Sequence, residues 1–422
     1  MATMTRMPVV AGILVFSLAG AAAAQAPAPT PTNDDCLACH GDKDMAVRAD
    51  GRTSVLVDAP TYAASVHGQI QATCVDCHVD LAKPETEHPG KAAPVDCATC
   101  HAGAVTEYAA SVHGKARSGG RMLAATCVSC HGTHDIRAAK DPESRTYHLN
   151  LPRTCGTCHG NDTTIQQAHL HGGNILDQFE DSIHGRALTK GGLLVAPSCG
   201  SCHGAHDIQA HGDPKSRVSR ARVPDTCGTC HEGVKLKFAR GKHGEQLQQD
   251  NPRAPVCIDC HESHSIQRAE LTTWQVDVIR ECGTCHAESI ETYRDTFHGQ
   301  VTALGFTRVA TCASCHGAHE VLPKADPASP VNPARVVATC QQCHPGANEN
   351  FAQYHPHANK HDREHHGLLY YTASFMEFLL LGVFSFFGIH TGLWFTKEWR
   401  VKRARRKVAA SPETPGPSGG AA

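Results

Sequence analysis

Apolar residues along this 422-residue chain fall into two solid runs with a thin periodic scatter between them. The first run, Val9 to Ala24, follows a single Arg and closes on Ala-rich small residues, a pattern that predicts a secretory signal peptide over 1–24. The second, Leu368 to Phe395, is long enough for a tilted membrane-spanning helix, placed at 368–396. Tyr370 and Tyr371 mark one end and Trp394 and Trp399 the other, where amphipathic rings favour the interfaces. The segment "KEWRVKRARRK" then orients the C-terminus to the cytoplasm by the excess of Lys and Arg. The expected layout is an exported domain over 25–347, a His-rich juxtamembrane stalk over 348–367, the anchor, and a basic then disordered cytoplasmic tail over 397–422.

Between the runs, short stretches carry helical spacing. Val105, Tyr108 and Val112 recur on one face, as do Ile290, Tyr293 and Phe297. Each stretch ends in a His-Gly step, with an aromatic residue five positions before the histidine: Tyr62, Tyr108, Phe179, Phe238 and Tyr293. The fold class expected is mainly α with extensive coil, in repeats packed around bound cofactors, plus one C-terminal transmembrane helix. Glycine in the step is expected to clear the approach of a flat ring.

Composition explains why a cofactor enters that expectation. Aromatic residues make up only 5% of the chain, too few for two or three ordinary cores, whereas Cys numbers 22 and His 31. The formal net charge of −2 gives no whole-chain pointer to nucleic acid.

Every cysteine falls in a Cys-x-x-Cys pair followed at once by His. The first six motifs are Cys36, Cys39 and His40; Cys74, Cys77 and His78; Cys97, Cys100 and His101; Cys127, Cys130 and His131; Cys155, Cys158 and His159; and Cys199, Cys202 and His203. The other five are Cys227, Cys230 and His231; Cys257, Cys260 and His261; Cys282, Cys285 and His286; Cys312, Cys315 and His316; and Cys340, Cys343 and His344. Cys-x-x-Cys-His is the attachment signature of c-type haem, two thiols for the vinyl groups and an imidazole for the iron. A disulfide framework or paired zinc ribbons would leave the invariant histidine unexplained, and an odd number of motifs does not pair. Eleven covalent haems c are therefore expected, with eleven proximal histidines.

The motifs sit in repeats of roughly 55 to 72 residues, each with two motifs and two further histidines. His-Gly steps offer His67, His113, His184, His243 and His298 as distal iron ligands. His134, His206, His264 and His319 stand three residues after a haem histidine. In the first repeat Leu81 stands there instead, and His88 is the substitute. The eleventh ligand is expected from "HPHANKHDREHH", through His355 or else His357 or His361. Only Met45 and Met122 occur between the two apolar runs, so bis-histidine ligation and low potentials are expected. His148 and His211 read as surface residues, while His169 and His171 lie in an insertion. His390 lies inside the apolar span, where an ionisable residue tends to face protein, and marks a contact with a membrane partner.

Together, the eleven motifs, the "SVHG" and "CHGxHxI" steps and the C-terminal "FGIHTGLWF" resemble the membrane-anchored multihaem cytochromes c of bacterial respiratory chains, over residues 36–407. That resemblance implies electron transfer from a quinol-oxidising membrane partner, such as a cytochrome b, to periplasmic or outer-membrane redox proteins in anaerobic respiration. It implies an inner-membrane anchor with the haem domain in the periplasm. No catalytic residue is assigned. The alternative is a reductase of a small nitrogen or sulfur oxyanion at one five-coordinate haem, expected in the first repeat or at the eleventh motif.

Overall fold

The computed structural model describes residues 30–47, 54–83 and 90–409. The signal-peptide stretch, the tail beyond Ala409 and His88 lie outside the described residues. The described chain is mainly helical with long coil connections; its only β feature is an isolated bridge between Val47 and Ser54. It forms two compact units. One runs through Leu176 and includes Pro197–Gln209; the other comprises Asp177–Ala196 and the chain from Ala210 onward.

Several helices are short because they are built around a motif. In Cys127–His131, Cys199–His203 and Cys312–His316, one turn of helix puts the first cysteine, the second cysteine and the histidine at i, i+3 and i+4, on one face. A capping box starts each turn. The backbone N–H of Thr126 donates to Ser129 Oγ at 3.0 Å, that of Ser198 to Ser201 Oγ at 3.1 Å, and that of Thr311 to Ser314 Oγ at 3.0 Å. Asp76 and Asp259 do the same for Thr73 and Val256, each at 2.6 Å. In these five motifs the residue before the second cysteine is thus Ser or Asp for a structural reason. Gly132, Gly204 and Gly317 then turn the chain at φ of 85°, 85° and 81°. Glu262 takes the same left-handed position at φ 60°, where a side chain is strained.

A second unit of structure is the pair of helices flanking the His-Gly step. Ala98–Ala110 leads to Val112–Ser118, Glu232–Arg240 to Lys242–Gln248, and Ala287–Arg294 to Phe297–Ala303. Ser65, Ser111, Ser182 and Thr296 cap the second helix by accepting from the glycine N–H three residues on. The N–H just before the histidine, an orphan donor of the first turn, reaches into the next repeat. Val66 donates to Ile136 O, Val112 to Ile208 O and Ile183 to Ile266 O at 2.8 Å, and Lys242 to Val321 O at 2.7 Å.

Protein side chains make little of the interior. Ten hydrophobic residues are buried among those described, and four of them are alanines: Ala46, Ala196, Ala254 and Ala347. Burial on that scale cannot offset the conformational entropy of ordering so many residues. Gly367–Ala409 is different again: 43 residues, about 65 Å at 1.5 Å per residue, with no residue buried. It is the one described helix long and apolar enough to cross a membrane, and its basic segment continues the same helix.

Candidate haem-binding sites

Where the aromatic residue that precedes a His-Gly step is tyrosine, it holds the coil leading to the next motif. Tyr62 Oη donates to Ala72 O at 2.6 Å, Tyr108 Oη to Ala125 O at 2.8 Å and Tyr293 Oη to Ala310 O at 2.9 Å, each carbonyl two residues before a first cysteine. The glycine of the step has a backbone role. A Cβ on Gly68, Gly114, Gly185, Gly244 or Gly299 would lie 1.8–2.2 Å from the carbonyl oxygen of that same aromatic residue.

This folding sets histidines in pairs. In the first compact unit His67 faces His101 with ring centres 6.1 Å apart, His78 faces His134 at 6.3 Å, His113 faces His159 at 6.3 Å and His131 faces His206 at 5.9 Å. In the second, the pairs are His184 with His231 at 6.1 Å, His243 with His286 at 6.3 Å and His261 with His319 at 6.0 Å. His298 with His344 and His316 with His357, both at 6.1 Å, complete the set. Two metal–imidazole bonds of about 2 Å, each with about 1.1 Å from nitrogen to ring centre, span about 6.2 Å. Each pair is spaced for one iron between its rings.

One rule covers all nine. A first-motif histidine meets the His-Gly histidine of the preceding repeat, and a second-motif histidine meets the one three residues after the next second motif. His357 fills that second role for His316. His344, at the eleventh motif where an open iron was expected, has His298 opposite. His40 Nδ1 lies 3.0 Å from Val55 O. His203 belongs to the first compact unit and His264, beside Ser263 Oγ at 3.4 Å, to the second. His355 lies edge-on to His366 at 6.5 Å, and His361 is exposed. His148 is half-buried with Nδ1 3.3 Å from Ser198 Oγ, so it is no simple surface residue; His211 is exposed.

Burial pushes His113, His159, His184, His243 and His261 below the ordinary imidazole value, and neighbouring imidazoles add to this at all but His159. The neutral ring that results is the form that ligates a metal. The thiols are ordered too. First cysteines lie close enough across consecutive motifs for their thiols to perturb one another: Cys36 with Cys74, Cys97 with Cys127 and Cys155 with Cys199 in one unit, Cys227 with Cys257 and Cys282 with Cys312 in the other. Second cysteines lie close enough to the following motif for their charges to interact, Cys77 to Cys100, Cys130 to Cys155, Cys260 to Cys282 and Cys315 to Cys340. Within each unit the motifs therefore adjoin in sequence order. The residues fit haem c, whose chemistry when bound is one-electron exchange.

Residues 193–236 match the doubled CXXCH motif family. Over 215 residues the chain is 24% identical to the high-molecular-weight cytochrome c of Nitratidesulfovibrio vulgaris (strain Hildenborough), covering 47% of this chain and 34% of that protein. Over these stretches the chain is similar to multihaem cytochromes c. It is also 28% identical over 146 residues to the cytochrome c-type protein NrfB of Escherichia coli O6:H1 (strain CFT073), covering 31% of this chain and 71% of the relative. It spans about a third of the length of the first of these relatives. No solved structure matches it.

Proposed function

We propose that the cytochrome conducts electrons through eleven covalent haems c, one per motif, with both axial positions of the irons filled by histidine. The observation that carries this is the set of nine imidazole pairs at 5.9–6.3 Å, each containing one motif histidine. Iron with two protein ligands has no position for a substrate, so the protein's contribution is spacing, orientation and tuning. In this reading His67, His113, His184, His243 and His298 are distal ligands from the preceding repeat, His134, His206 and His319 from the following one, and His357 replaces His355 as the last.

The Gly367–Ala409 helix anchors the haem domain to the outer face of the inner membrane, its basic end toward the cytoplasm. His390 and Glu377 are exposed on that helix, and ionisable groups at such depth call for a protein neighbour. A quinol-oxidising subunit of cytochrome b type is the partner proposed, with periplasmic or outer-membrane redox proteins as acceptors. A b-type haem should copurify with the cytochrome and be lost in His390→Ala.

The reading is tested with detergent-purified, full-length protein. Pyridine haemochrome should give eleven covalent haems per chain. Reduced protein given nitrite, hydroxylamine or sulfite should stay reduced; catalytic reoxidation would replace the carrier reading with a reductase.

A further inference from the structure

The residue immediately before the repeated aromatic varies in charge from repeat to repeat: Glu107, Lys237 and Thr292 are three of its forms. In two of these cases it sits beside a distal histidine. Glu107 Oε2 lies 3.6 Å from Nδ1 of His206, the ring opposite His131. Thr292 Oγ1 lies 3.0 Å from Nδ1 of His357, opposite His316. The charge of Lys237 acts at longer range on His319, opposite His261, adding to burial in holding that ring below its ordinary value. A single helical position thus presents an anion or a neutral hydroxyl to Nδ1 at two sites and brings a cation toward a third.

We propose that this position sets the reduction potential of the iron that each imidazole pair would hold, with Glu107, Lys237 and Thr292 as positioning and tuning residues that act through the distal ring. The proposal rests on the bis-histidine reading above. Groups behind a metal-ligating imidazole fix its tautomer and alter its basicity, and such contacts are one of the protein's levers on haem potential. A carboxylate facing Nδ1–H makes the imidazole a stronger donor and favours ferric iron. Thr292 has one hydroxyl proton, shared between Glu288 O at 3.0 Å and Ser289 O at 3.1 Å, so it accepts from His357 Nδ1–H. That leaves Nε2 for iron, with a weaker push than a carboxylate gives. Lys237 offers no acceptor, and its positive charge disfavours ferric iron. The order of potentials is then the His131/His206 site lowest, the His316/His357 site between, and the His261/His319 site highest.

The test is an EPR-monitored redox titration of the full-length, haem-loaded protein and two variants at exposed positions. Glu107→Gln should raise the midpoint of one low-spin component, by about a tenfold change in its reduction equilibrium, or about 59 mV for one electron. Lys237→Glu should lower the midpoint of a different component by a similar factor. Opposite signs at two sites are what general loosening of the fold would not produce. Unshifted midpoints in either variant, or shifts of the same sign in both, would overturn the proposal. Failure of the underlying reading shows separately, as high-spin iron in the unsubstituted protein.

Discussion

The haem-binding repeats and the C-terminal helix are short of protein contacts for opposite reasons. The repeats contain few large apolar side chains and bury ten hydrophobic residues, four of them alanine. The helix is the richest apolar segment described and buries nothing: Phe378, Phe384 and Phe386 are all exposed. In the proposed reading each is completed by something other than polypeptide, a porphyrin in one case and lipid in the other. In the repeats that completion is also what joins neighbours, because an iron between His243 and His286 would bridge two of them. The helix is internally hydrogen-bonded along its whole length and needs no such bridge.

The difference is broken most completely by withholding haem. Chain made without haem attachment should show no cooperative thermal transition in its repeats, whereas the isolated Gly367–Ala409 segment should remain helical in detergent by circular dichroism. A cooperative transition in the haem-free repeats would remove the contrast. Next in size is the loss of a single bridge. His243→Ala or His357→Ala should convert one low-spin iron to a high-spin one that binds cyanide, while His361→Ala should leave every signal unchanged.

Smaller effects sharpen the account of the repeat itself. Gly244→Ala sets a Cβ 2.2 Å from Phe238 O and should cost about 1–3 kcal/mol in denaturant unfolding of the holoprotein. Tyr108→Phe removes the bond to Ala125 O and should cost about 1 kcal/mol by the same measurement. Glu262→Gly relieves a left-handed residue and should stabilise by about 1 kcal/mol.

Much of this was legible in the sequence. Haem attachment, the repeat and the histidines of the pairs can be read from composition and spacing, because attachment is local: cysteines and histidine share one helical turn. Pairing is not local. His78 and His134 are brought together by backbone bonds such as Val66 N–H to Ile136 O, which no periodicity announces. The choice of His357 over His355 turns on Thr292, a residue with no motif of its own. The His-Gly glycine was noticed for its constancy, yet its cause is a carbonyl six residues earlier in the chain. Ser129 and Asp259, inside the motifs, are legible in the sequence only as an N-terminal capping pattern.

The central claim, that paired imidazoles close the irons and make the cytochrome a conductor, is tested most directly by low-temperature EPR of the oxidised, detergent-purified protein before and after cyanide or nitric oxide. Low-spin ferric signals alone, unchanged by either ligand, are the predicted result. A high-spin signal of about one haem that shifts on ligand addition would contradict it and place a substrate site on that iron.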